Sequence, residues 1–567
     1  MAGLLLHGAR VLTMDPLRPR AWAVAVRDGR IAAVGSEEHA RAALDGEADE
    51  LDLGGGALLP GFVDAHHHAC MAAFATTGAR IELPEGAGID DLLEVVATEA
   101  AAHPDAPWVR LQGYDHHKLR EQRAPRREEL DEAVGDRPAL VIAYSYHEGA
   151  LNSRGLEEMG WHAGTPDPPN GLIVRDGAGR PAGEVAEQAM YLCEARSRGA
   201  LLPTAQDAWL AEIEAHGRRL LAAGITRIGD AAVPPDFEAL YERAAREGRL
   251  PLTVHRMPVA AVSQLDLRID GPATGEGPGV VPVGAAKLFM DGADRCAMCL
   301  SGPQVARTMA ATLRRVATGE GLAALRFASQ LSFRPHLGPD HKLHQGMLFW
   351  DRAALRDAVA RAGAAGFQVA QHAIGNEAVD VAVDALEHVG AALDARPGRP
   401  RLEHLSVLDE PLARRIADAG AIGVVQPGWV EDLGEAFRRL GVPAPLKALP
   451  LATLRRAGVT LAGSSDFPVS GFDVLTAVRG AVRRTTSGGH ALHPEEGLHP
   501  VEALEAYTIG GAQALGAASE AGTIEAGKRA DLVHLSQDPV AIDAARLDEV
   551  EVRRTWVAGR LAHPPPA

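Results

Sequence analysis

The chain has 567 residues, of which 46% are hydrophobic and 23% are charged, and its formal net charge is −18 at pH 7. This length exceeds one ordinary domain and allows a large buried core. The acidic balance argues against nucleic-acid and anionic-lipid partners, and no stretch reaches the ~18 apolar residues of a membrane span. We therefore expect a cytoplasmic protein without nucleic-acid or membrane partners. The charge balance says little about the substrate; the motifs described below predict a small-molecule substrate, and a homodimer is the oligomer we consider.

Both ends of the chain are predicted to form short β-strands, because apolar runs are separated there by turn residues such as Asp28-Gly29. The strand-like runs are 9–13, 22–26, 30–34, 522–524, 530–535 and 551–557. Neither end alone carries enough strands to close a domain. We predict one small β-sandwich domain assembled from residues 1–58 and 519–567.

The middle of the chain alternates apolar strands with helices rich in Ala, Leu and Arg, which is the pattern of a parallel sheet. The strand candidates are 224–229, 252–254, 283–289, 367–370, 422–425 and 460–464, and helices such as 353–364 and 377–389 fall between them. The length fits an α/β fold of the (β/α)8 TIM-barrel type over residues 59–518. A doubly wound sheet is the alternative, but no Gly-X-Gly-X-X-Gly follows the first strand. Residues from about 72 to 202, with a strand candidate at 139–143, are predicted to form a large insertion over the barrel mouth.

The first strand of this barrel ends in Asp64-Ala65-His66-His67-His68. Side chains alternate along a strand, so His66 and His68 point to one face and His67 to the other. Two imidazoles side by side form half of a divalent metal site. With 23 histidines in the chain, roughly one His-X-His is expected by chance, so the motif needs further ligands at other strand ends.

Four further polar residues close apolar strands where the catalytic groups of a barrel lie. In chain order they are Lys287, His372, His404 and Asp466. Alone, each has an ordinary explanation: Asp466 could cap a helix, and Lys287 could be a surface cation. Together, neutral imidazoles and a carboxylate predict a catalytic site for Zn²⁺ or a similar ion.

The cysteines and the remaining loop histidines suggest no second site. Cys296-Ala-Met-Cys299 has the spacing of a redox or zinc motif, but no second pair completes a structural zinc site, so we predict small buried side chains. The polar-loop histidines are predicted to be solvated, and they are His116, His117, His336, His341 and His344.

These stretches resemble the amidohydrolase superfamily, and particularly the long-chain branch that includes N-substituted formamide deformylases. The matching segments are 60–68, 287–292, 372–376, 403–404 and 463–469, with weaker matches at 113–115, at His147 with 152–153, and at 522–532. The resemblance spans essentially the whole chain. It implies a metal-dependent hydrolase with a barrel and a terminal β-sandwich.

The resemblance also implies a ligand set for one or two Zn²⁺ ions. His66, His68 and Asp466 would hold one metal, and His372 and His404 a second. Lys287 matches a lysine that is carboxylated by CO₂ and bridges both ions in binuclear members. The alternative is that Lys287 stays an amine and a single metal binds.

The predicted reaction is hydrolysis of a C–N bond in an amide, formamide or N-acyl compound. Water activated by the metal would attack the carbonyl, with Asp466 as general base and then general acid and His404 as a second catalytic residue. The candidate substrate-binding residues are Tyr114, Asp115, His147, Phe289, Asp291, Gln426 and Trp429. The alternatives are a mononuclear deaminase or lactone hydrolase on the same barrel and, more remotely, a non-catalytic assembly protein, which predicts missing ligands.

Overall fold

The computed structural model describes residues 3–44, 48–75, 81–84, 86–261, 263, 266–320, 325, 333–390 and 398–564. Within them, eight parallel strands form one sheet of three strands and one of five. In chain order the strands are Phe62–His67, Ile225–Val233, Thr253–Pro258, Ala286–Phe289, Val369–Ala373, Arg401–His404, Ile422–Val425 and Thr460–Gly463. We refer to them as the first to eighth parallel strands.

Each parallel strand pairs with the one before or after it in the sequence. The two sheets also approach each other at both edges. The Asp466 N–H, beyond the eighth strand, donates to the His66 carbonyl at 2.9 Å, and the Arg256 N–H of the third strand donates to Pro282 just before the fourth at 3.0 Å. This consecutive order is TIM-barrel-like, as predicted, and it excludes a doubly wound sheet, whose strand order reverses at a switch point.

Helices follow the parallel strands and cover the outside of the sheets. They are Ala69–Ala75, Pro235–Arg246, Gly302–Arg315, Arg352–Ala364, Asn376–Val389, Glu410–Asp418, Trp429–Asp432, Gly434–Leu440, Leu451–Arg456, Val474–Arg483, Pro500–Glu505 and Gly511–Ala514. Several begin at an aspartate whose side chain accepts a backbone N–H of the first turn, as Asp351 and Asp473 do. Their apolar faces join the strands in one large hydrophobic core.

The predicted insertion has its own sheet and core. Its five strands, in spatial order, are Gly171–Arg175, Pro181–Glu187, Glu148–Leu151, Ala139–Ala143 and Val109–Tyr114. Its first three helices are Ile89–Ala102, Arg127–Val134 and Ser153–Glu158. The strand predicted at 139–143 is confirmed. The predicted end at 202 is wrong, because one 35-residue helix, Gln188–Ala222, runs without a break from the insertion to the second parallel strand.

The chain ends form two further sheets, one from N-terminal strands alone and one from strands of both ends. One contains Arg30–Gly35, Ala23–Arg27, Gly3–His7 and Ala48–Asp52, and the other Arg560–His563, Val552–Val557, Leu532–Leu535, Ala57–Pro60, Arg10–Leu12 and Arg20–Ala21. Leu6 and Val24 of the first sheet pack with Leu58, Leu532 and Trp556 of the second.

Two expectations about the terminal region need correction. The segment 522–524 is not a strand: Gly522 has φ 88°, and the Ile524 N–H donates to the Thr13 carbonyl at 2.8 Å in a turn. The boundary at 58 also moves, because Ala57–Pro60 is a single strand of the six-stranded sheet.

The remaining elements are short. A helix, Glu37–Ala42, follows the strand Arg30–Gly35, and single-turn or irregular helices lie at Val316–Glu320, Pro494–Glu496, Ala506–Gly510 and Ala544–Glu549. A three-stranded antiparallel sheet contains Met298–Leu300, Leu343–Gln345 and His336–Leu337, and a two-stranded one contains Val407–Leu408 and Lys447–Ala448. Among the helices of the described residues, none is long and apolar enough to pass through a membrane.

Candidate metal centre

Three predicted ligands converge where the first and eighth parallel strands end. His66 Nε2 and His68 Nε2 lie 3.3 Å and 3.0 Å from the same oxygen, Oδ1 of Asp466. The candidate ligand atoms of the three side chains all lie within 4.8 Å of one another. His67 points to the other face, as predicted, and its Nδ1 lies 2.9 Å from Asp64 Oδ2. The pleat of the strand thus places the His66 and His68 imidazoles together on one face and the His67 imidazole on the opposite face.

The hydrogen-bond partners of these histidines favour a cation between them. His68 Nδ1 lies 2.9 Å from the Ala231 carbonyl, which only accepts, so this nitrogen carries the hydrogen. In the neutral ring Nε2 is then an acceptor, yet it faces an oxygen of Asp466. A divalent ion satisfies both lone pairs at once. Second partners that fix the tautomer of a ligating histidine are typical of metal sites, so the donor set fits a metal.

A second histidine pair lies beside the first. The His372 and His404 rings are 4.5 Å apart between centroids, and the His66 and His404 rings are 4.9 Å apart. His404 Nδ1 lies 3.1 Å from Gln426 Oε1, which leaves its Nε2 uncommitted. His372 Nε2 is buried without a hydrogen-bond partner among the described residues. The structure therefore brings together all four of the histidines that the sequence predicted as ligands.

Lys287 reaches the same place from the fourth parallel strand. Its Nζ lies 3.4 Å from His66 Nε2 and 4.9 Å from the centre of the Phe289 ring, and its side chain is almost fully buried. Burial lowers the pKa of this amine from 10.5 to about 8, because an ammonium loses its hydration there. A buried amine close to neutrality, next to a candidate ligand, is suited to reaction with CO₂.

Burial also sets the charge of the other groups. It lowers the pKa of His66 and His372 well below 6.5 and that of His404 to about 3, so these rings are neutral, as metal ligands must be. Burial acts to raise the pKa of Asp466, but the hydrogen bond with His68 and nearby positive charge lower it overall. Asp466 is therefore a carboxylate at this centre.

Backbone strain marks the same centre. His404 and Asp466 have φ values of 75° and 56°, in the left-handed region that non-glycine residues seldom adopt. Such conformations cost of order 1–3 kcal/mol and gather at functional sites, where the surrounding structure holds them. No apolar periodicity in the sequence predicts this backbone conformation at His404 and Asp466.

Two cavities meet at the centre. The inner cavity is enclosed by the ligands together with aromatic and apolar residues, namely Met71, Tyr146, Tyr191, Ala232 and Phe289. The outer cavity is walled largely by apolar side chains, which include Ile374, Val407, Trp429, Leu433, Phe437 and Leu440. Both are lined by His147, His372, His404 and Asp466, so the centre lies at their junction.

The predicted substrate-binding residues divide into two groups. His147, Phe289 and Trp429 line a cavity, and the Trp429 ring stacks on His404 at 5.4 Å. The others are Tyr114, Asp115, Asp291 and Gln426, and they are not among the lining residues. Tyr114 is packed in the core of the insertion, because it is the last residue of a buried strand there.

Asp291 and Gln426 act on the ligands rather than on the cavity. Asp291 accepts the backbone N–H groups of Ala297, Ile374 and Gly375 at 2.9–3.1 Å, which fixes the loop after His372. Gly375 is required there, since a Cβ would lie 2.0 Å from the Ala297 carbonyl oxygen. Gln426 bridges His404 and Ser464.

Sequence reasoning missed two buried glutamates. Glu403 Oε2 lies 2.6 Å from His66 Nδ1, and Arg401 holds the same carboxylate with two donors at 2.9 Å. Arg401 and Glu403 are two residues apart on one strand, so their side chains lie on one face. This spacing is the sequence signal that could have identified Glu403. Glu187, at φ 54°, lies 2.7 Å from His147 Nδ1. Burial lowers the pKa of His147, but Glu187 raises it overall.

Two groups of loop histidines are also not solvated, in contrast to the prediction. His116 is buried, and His117 Nε2 lies 3.1 Å from Asp294 Oδ2. His344 Nδ1 lies 2.8 Å from Glu377 Oε1. Both contacts join segments far apart in the sequence, so the solvent exposure predicted from local polarity was wrong for these three histidines. It is confirmed for His336 and His341, which are exposed.

A TIM-barrel-like fold with imidazoles and a carboxylate at the strand ends defines a metal-dependent hydrolase. Comparison with known proteins agrees: the model of the amidohydrolase family matches residues 49–563. The N-substituted formamide deformylase of Arthrobacter pascens is 33% identical over 574 residues, which cover 99% of this chain and 98% of that protein. The putative amidohydrolase YtcJ of Bacillus subtilis is 29% identical and covers 98% of each chain.

A solved structure has the same fold. An uncharacterized metal-dependent hydrolase from Pyrococcus horikoshii OT3 superposes with a TM-score of 0.66 at 21% identity, over 96% of this chain and 99% of that one. The chain belongs to the amidohydrolase family. The predicted family and the predicted enzyme class, a metal-dependent hydrolase of C–N bonds, are confirmed.

Proposed function

We propose that the protein hydrolyses the C–N bond of an N-substituted amide or formamide at the junction of the two cavities. The observation that carries the proposal is the convergence of His66 Nε2 and His68 Nε2 on one oxygen of Asp466. The relative from Arthrobacter pascens, named for N-substituted formamides and aligned along its whole length, supports this substrate class.

We assign a first divalent ion, with Zn²⁺ as the expected metal, to His66, His68 and Asp466, and a second to His372 and His404. Carboxylated Lys287 would bridge them: its neutral amine attacks CO₂, an N–C bond forms, and the proton lost from nitrogen passes to water. A divalent cation held by these ligands supplies an activated water and polarises the scissile carbonyl. The short separations between Lys287, His66 and His404 support a shared, binuclear centre.

Asp466 acts as the proton carrier in this proposal. Its carboxylate borders both cavities, so it can accept a proton from the attacking water and return it to the leaving nitrogen. His404 holds its place through Gln426 and contributes a ligand atom. His147, fixed through Nδ1 by Glu187, presents its other edge to the cavity and can donate to the carbonyl oxygen as negative charge develops.

The cavities suggest how a substrate divides between them. The inner cavity leaves room for a small acyl group beside Phe289 and Tyr191, and the outer one receives a larger apolar group on nitrogen. Apolar walls with a few polar groups are typical of small-molecule sites.

In the same proposal the parallel strands close into an eight-stranded barrel, and the two terminal sheets form a β-sandwich.

The test is metal analysis of the purified enzyme combined with activity on a panel of N-substituted formamides, amides and lactones. We expect two equivalents of metal per chain, formamide or amide hydrolysis that chelation abolishes, and recovery when metal is restored. One equivalent with deaminase or lactonase activity would favour the mononuclear alternative. Full activity in metal-free protein would overturn the proposal.

A further inference from the structure

The strongest unassigned feature is a cluster of Cys299, Asp340 and His344 on the three-stranded antiparallel sheet, which takes no part in the barrel centre. Cys299 lies opposite His344 in the strand register, so their side chains share one face. Cys299 Sγ lies 3.9 Å from His344 Nε2 and 3.9 Å from Asp340 Oδ2, and His344 Nε2 lies 3.0 Å from Asp340 Oδ1. Thus one sulfur, one nitrogen and one carboxylate face a common point.

We propose that Cys299, Asp340 and His344 form a second, separate metal site for a thiophilic divalent cation such as Zn²⁺. Ligands arranged tetrahedrally at ~2.0–2.3 Å from zinc are separated from one another by roughly 3.3–3.8 Å. The three observed separations bracket that range. The proposal does not depend on the function assigned to the barrel.

The surroundings of His344 are those of a metal ligand. Its Nδ1 lies 2.8 Å from Glu377 Oε1, on the helix that follows the His372 loop, and this contact turns Nε2 toward Cys299 and Asp340. A carboxylate behind a ligating histidine fixes its tautomer and raises its basicity. The Lys342 ammonium, 3.7 Å from Asp340 Oδ2, lies on an exposed pair and is readily displaced into solvent.

A fourth ligand is available on the neighbouring strand. His336 lies opposite His344 in the register, and the two rings stack at 5.5 Å with an interplanar angle of 23°. His336 is exposed and can rotate toward the cluster, or water can complete the coordination. Cysteine, histidine and aspartate together select zinc-like ions over magnesium or calcium.

Metal binding here has a defined proton balance. Burial raises the pKa of the Cys299 thiol to about 11, so the free thiol is protonated at neutral pH. Burial lowers the pKa of His344, but Asp340 and Glu377 raise it overall, so its Nε2 carries a proton in the free site. When the metal binds, the S–H proton and this Nε2 proton pass to solvent, and the freed lone pairs form the two bonds to the metal. No oxidant or reductant takes part.

The site would also hold the sheet against the barrel. The Asn376 side chain accepts the Cys299 N–H and donates to the Cys299 carbonyl, while Glu377 contacts His344. Asn376 and Glu377 open the helix after His372. A metal bound by the cluster would therefore link the three-stranded antiparallel sheet to the helix that follows His372.

Cobalt(II) substitution tests the site, because the barrel ligands contain no sulfur and only the proposed site gives a thiolate-to-cobalt charge-transfer band. Full-length metal-free protein titrated with Co²⁺ should show one such band per chain, and Zn²⁺ should abolish it. Cys299→Ser should lose the band, and His344→Gln, which removes a direct ligand, should weaken cobalt affinity at this site by more than the ~10–100-fold that loss of an outer partner costs. The matched control is His341→Asn, a nearby exposed histidine at φ 60° outside the cluster, which should leave the band unchanged.

Thiol labelling provides a second measurement in the unaltered chain. Of the four cysteines, Cys299 is partly exposed and the other three are buried, so alkylation of folded protein reports on Cys299. Zn²⁺ should slow its labelling at least tenfold in wild type and much less in Asp340→Asn. A wild-type protein without the band at saturating Co²⁺, a band that survives in Cys299→Ser, or labelling indifferent to Zn²⁺ would each overturn the proposal.

Discussion

Glu403 Oε2 lies 2.6 Å from His66 Nδ1, and both side chains are fully shielded from solvent. Since a carboxylate accepts, His66 donates through Nδ1 and turns the lone pair of Nε2 toward Asp466 and Lys287. Arg401, which also donates to the Ala65 carbonyl at 2.8 Å, holds Glu403 in place. The buried hydrogen-bonded chain of Arg401, Glu403 and His66 therefore fixes the orientation of one candidate metal ligand, His66.

Replacing this carboxylate should weaken metal binding without removing a ligand. We expect Glu403→Gln to lower metal affinity by about 10–100-fold, because the amide polarises His66 less and fixes its tautomer less firmly. Competition with a chelator measures the change. Glu496→Gln is the matched control, since Glu496 is equally buried but its carboxylate contacts Lys447 and Thr453 instead of a candidate ligand. Unaltered affinity in folded Glu403→Gln would contradict the assigned role.

Substitution of Asp466 is expected to lower turnover without removing the metal. In Asp466→Asn the amide can still contact the metal, and the histidines keep their positions, but the side chain no longer accepts a proton. We expect kcat to fall by about 10²–10⁴-fold while metal content stays near that of wild type. Metal analysis and steady-state kinetics on the same preparation give both values. If Asp466→Asn kept most of its kcat, the proton would have to move by another route.

The lowered pKa of Lys287 predicts that reactivation of the enzyme by CO₂ becomes faster as the pH rises. Burial lowers the pKa of its amine to about 8, so the reactive neutral fraction grows as pH rises through that value. With this pKa, about one-tenth of the amine is neutral at pH 7 and about half at pH 8, which is roughly a fivefold increase. At fixed concentrations of dissolved CO₂ and added Zn²⁺, enzyme that was first stripped of metal should regain activity about fivefold faster at pH 8 than at pH 7.

The control for this measurement is Lys287→Arg, which keeps a cation but cannot be carboxylated at neutral pH. It should bind less metal and show no response to CO₂. Reactivation of wild type at the same rate with and without CO₂ would favour the single-metal alternative, in which Lys287 remains an amine.

The strand ends were predictable because two local rules act there together. Apolar runs predicted seven of the eight parallel strands to within a few residues, and the polar residues that follow these runs gave His66, His372 and Asp466. The sixth strand, Arg401–His404, has only four residues and begins and ends with charged or polar side chains, so hydrophobicity alone did not predict it. Its ligand, His404, was identified by its position after Arg401-Leu402-Glu403.

What the sequence did not reveal depends on contacts between distant segments. The charge of Glu403 is compensated by Arg401 in a buried setting, and Glu187 meets His147 across forty residues. Tyr114 looked like a mouth residue because it precedes a polar loop, but its strand lies inside the insertion. Solvent exposure of a loop residue is a tertiary property, which local polarity does not determine.

The outer cavity predicts how substrate selectivity would change. Phe437 is half-buried, packs against Trp429 at 6.3 Å between ring centres, and lines the outer cavity away from the ligands. Burial of an aromatic side chain against an apolar group contributes about 1.5–3 kcal/mol. Phe437→Ala should therefore raise KM by about 10–100-fold for amides with a large apolar group on nitrogen, with little change in kcat.

For amides with a methyl group on nitrogen, the same substitution should leave KM within about twofold, because so small a group does not reach this wall. Phe437→Leu, which retains most of the apolar surface, is the matched control and should stay close to wild type. Kinetics across a series of nitrogen substituents of increasing size separate the two effects. An equal rise in KM for every member of the series would mean that the outer cavity does not hold the nitrogen substituent, and that this group lies in the inner cavity beside Phe289.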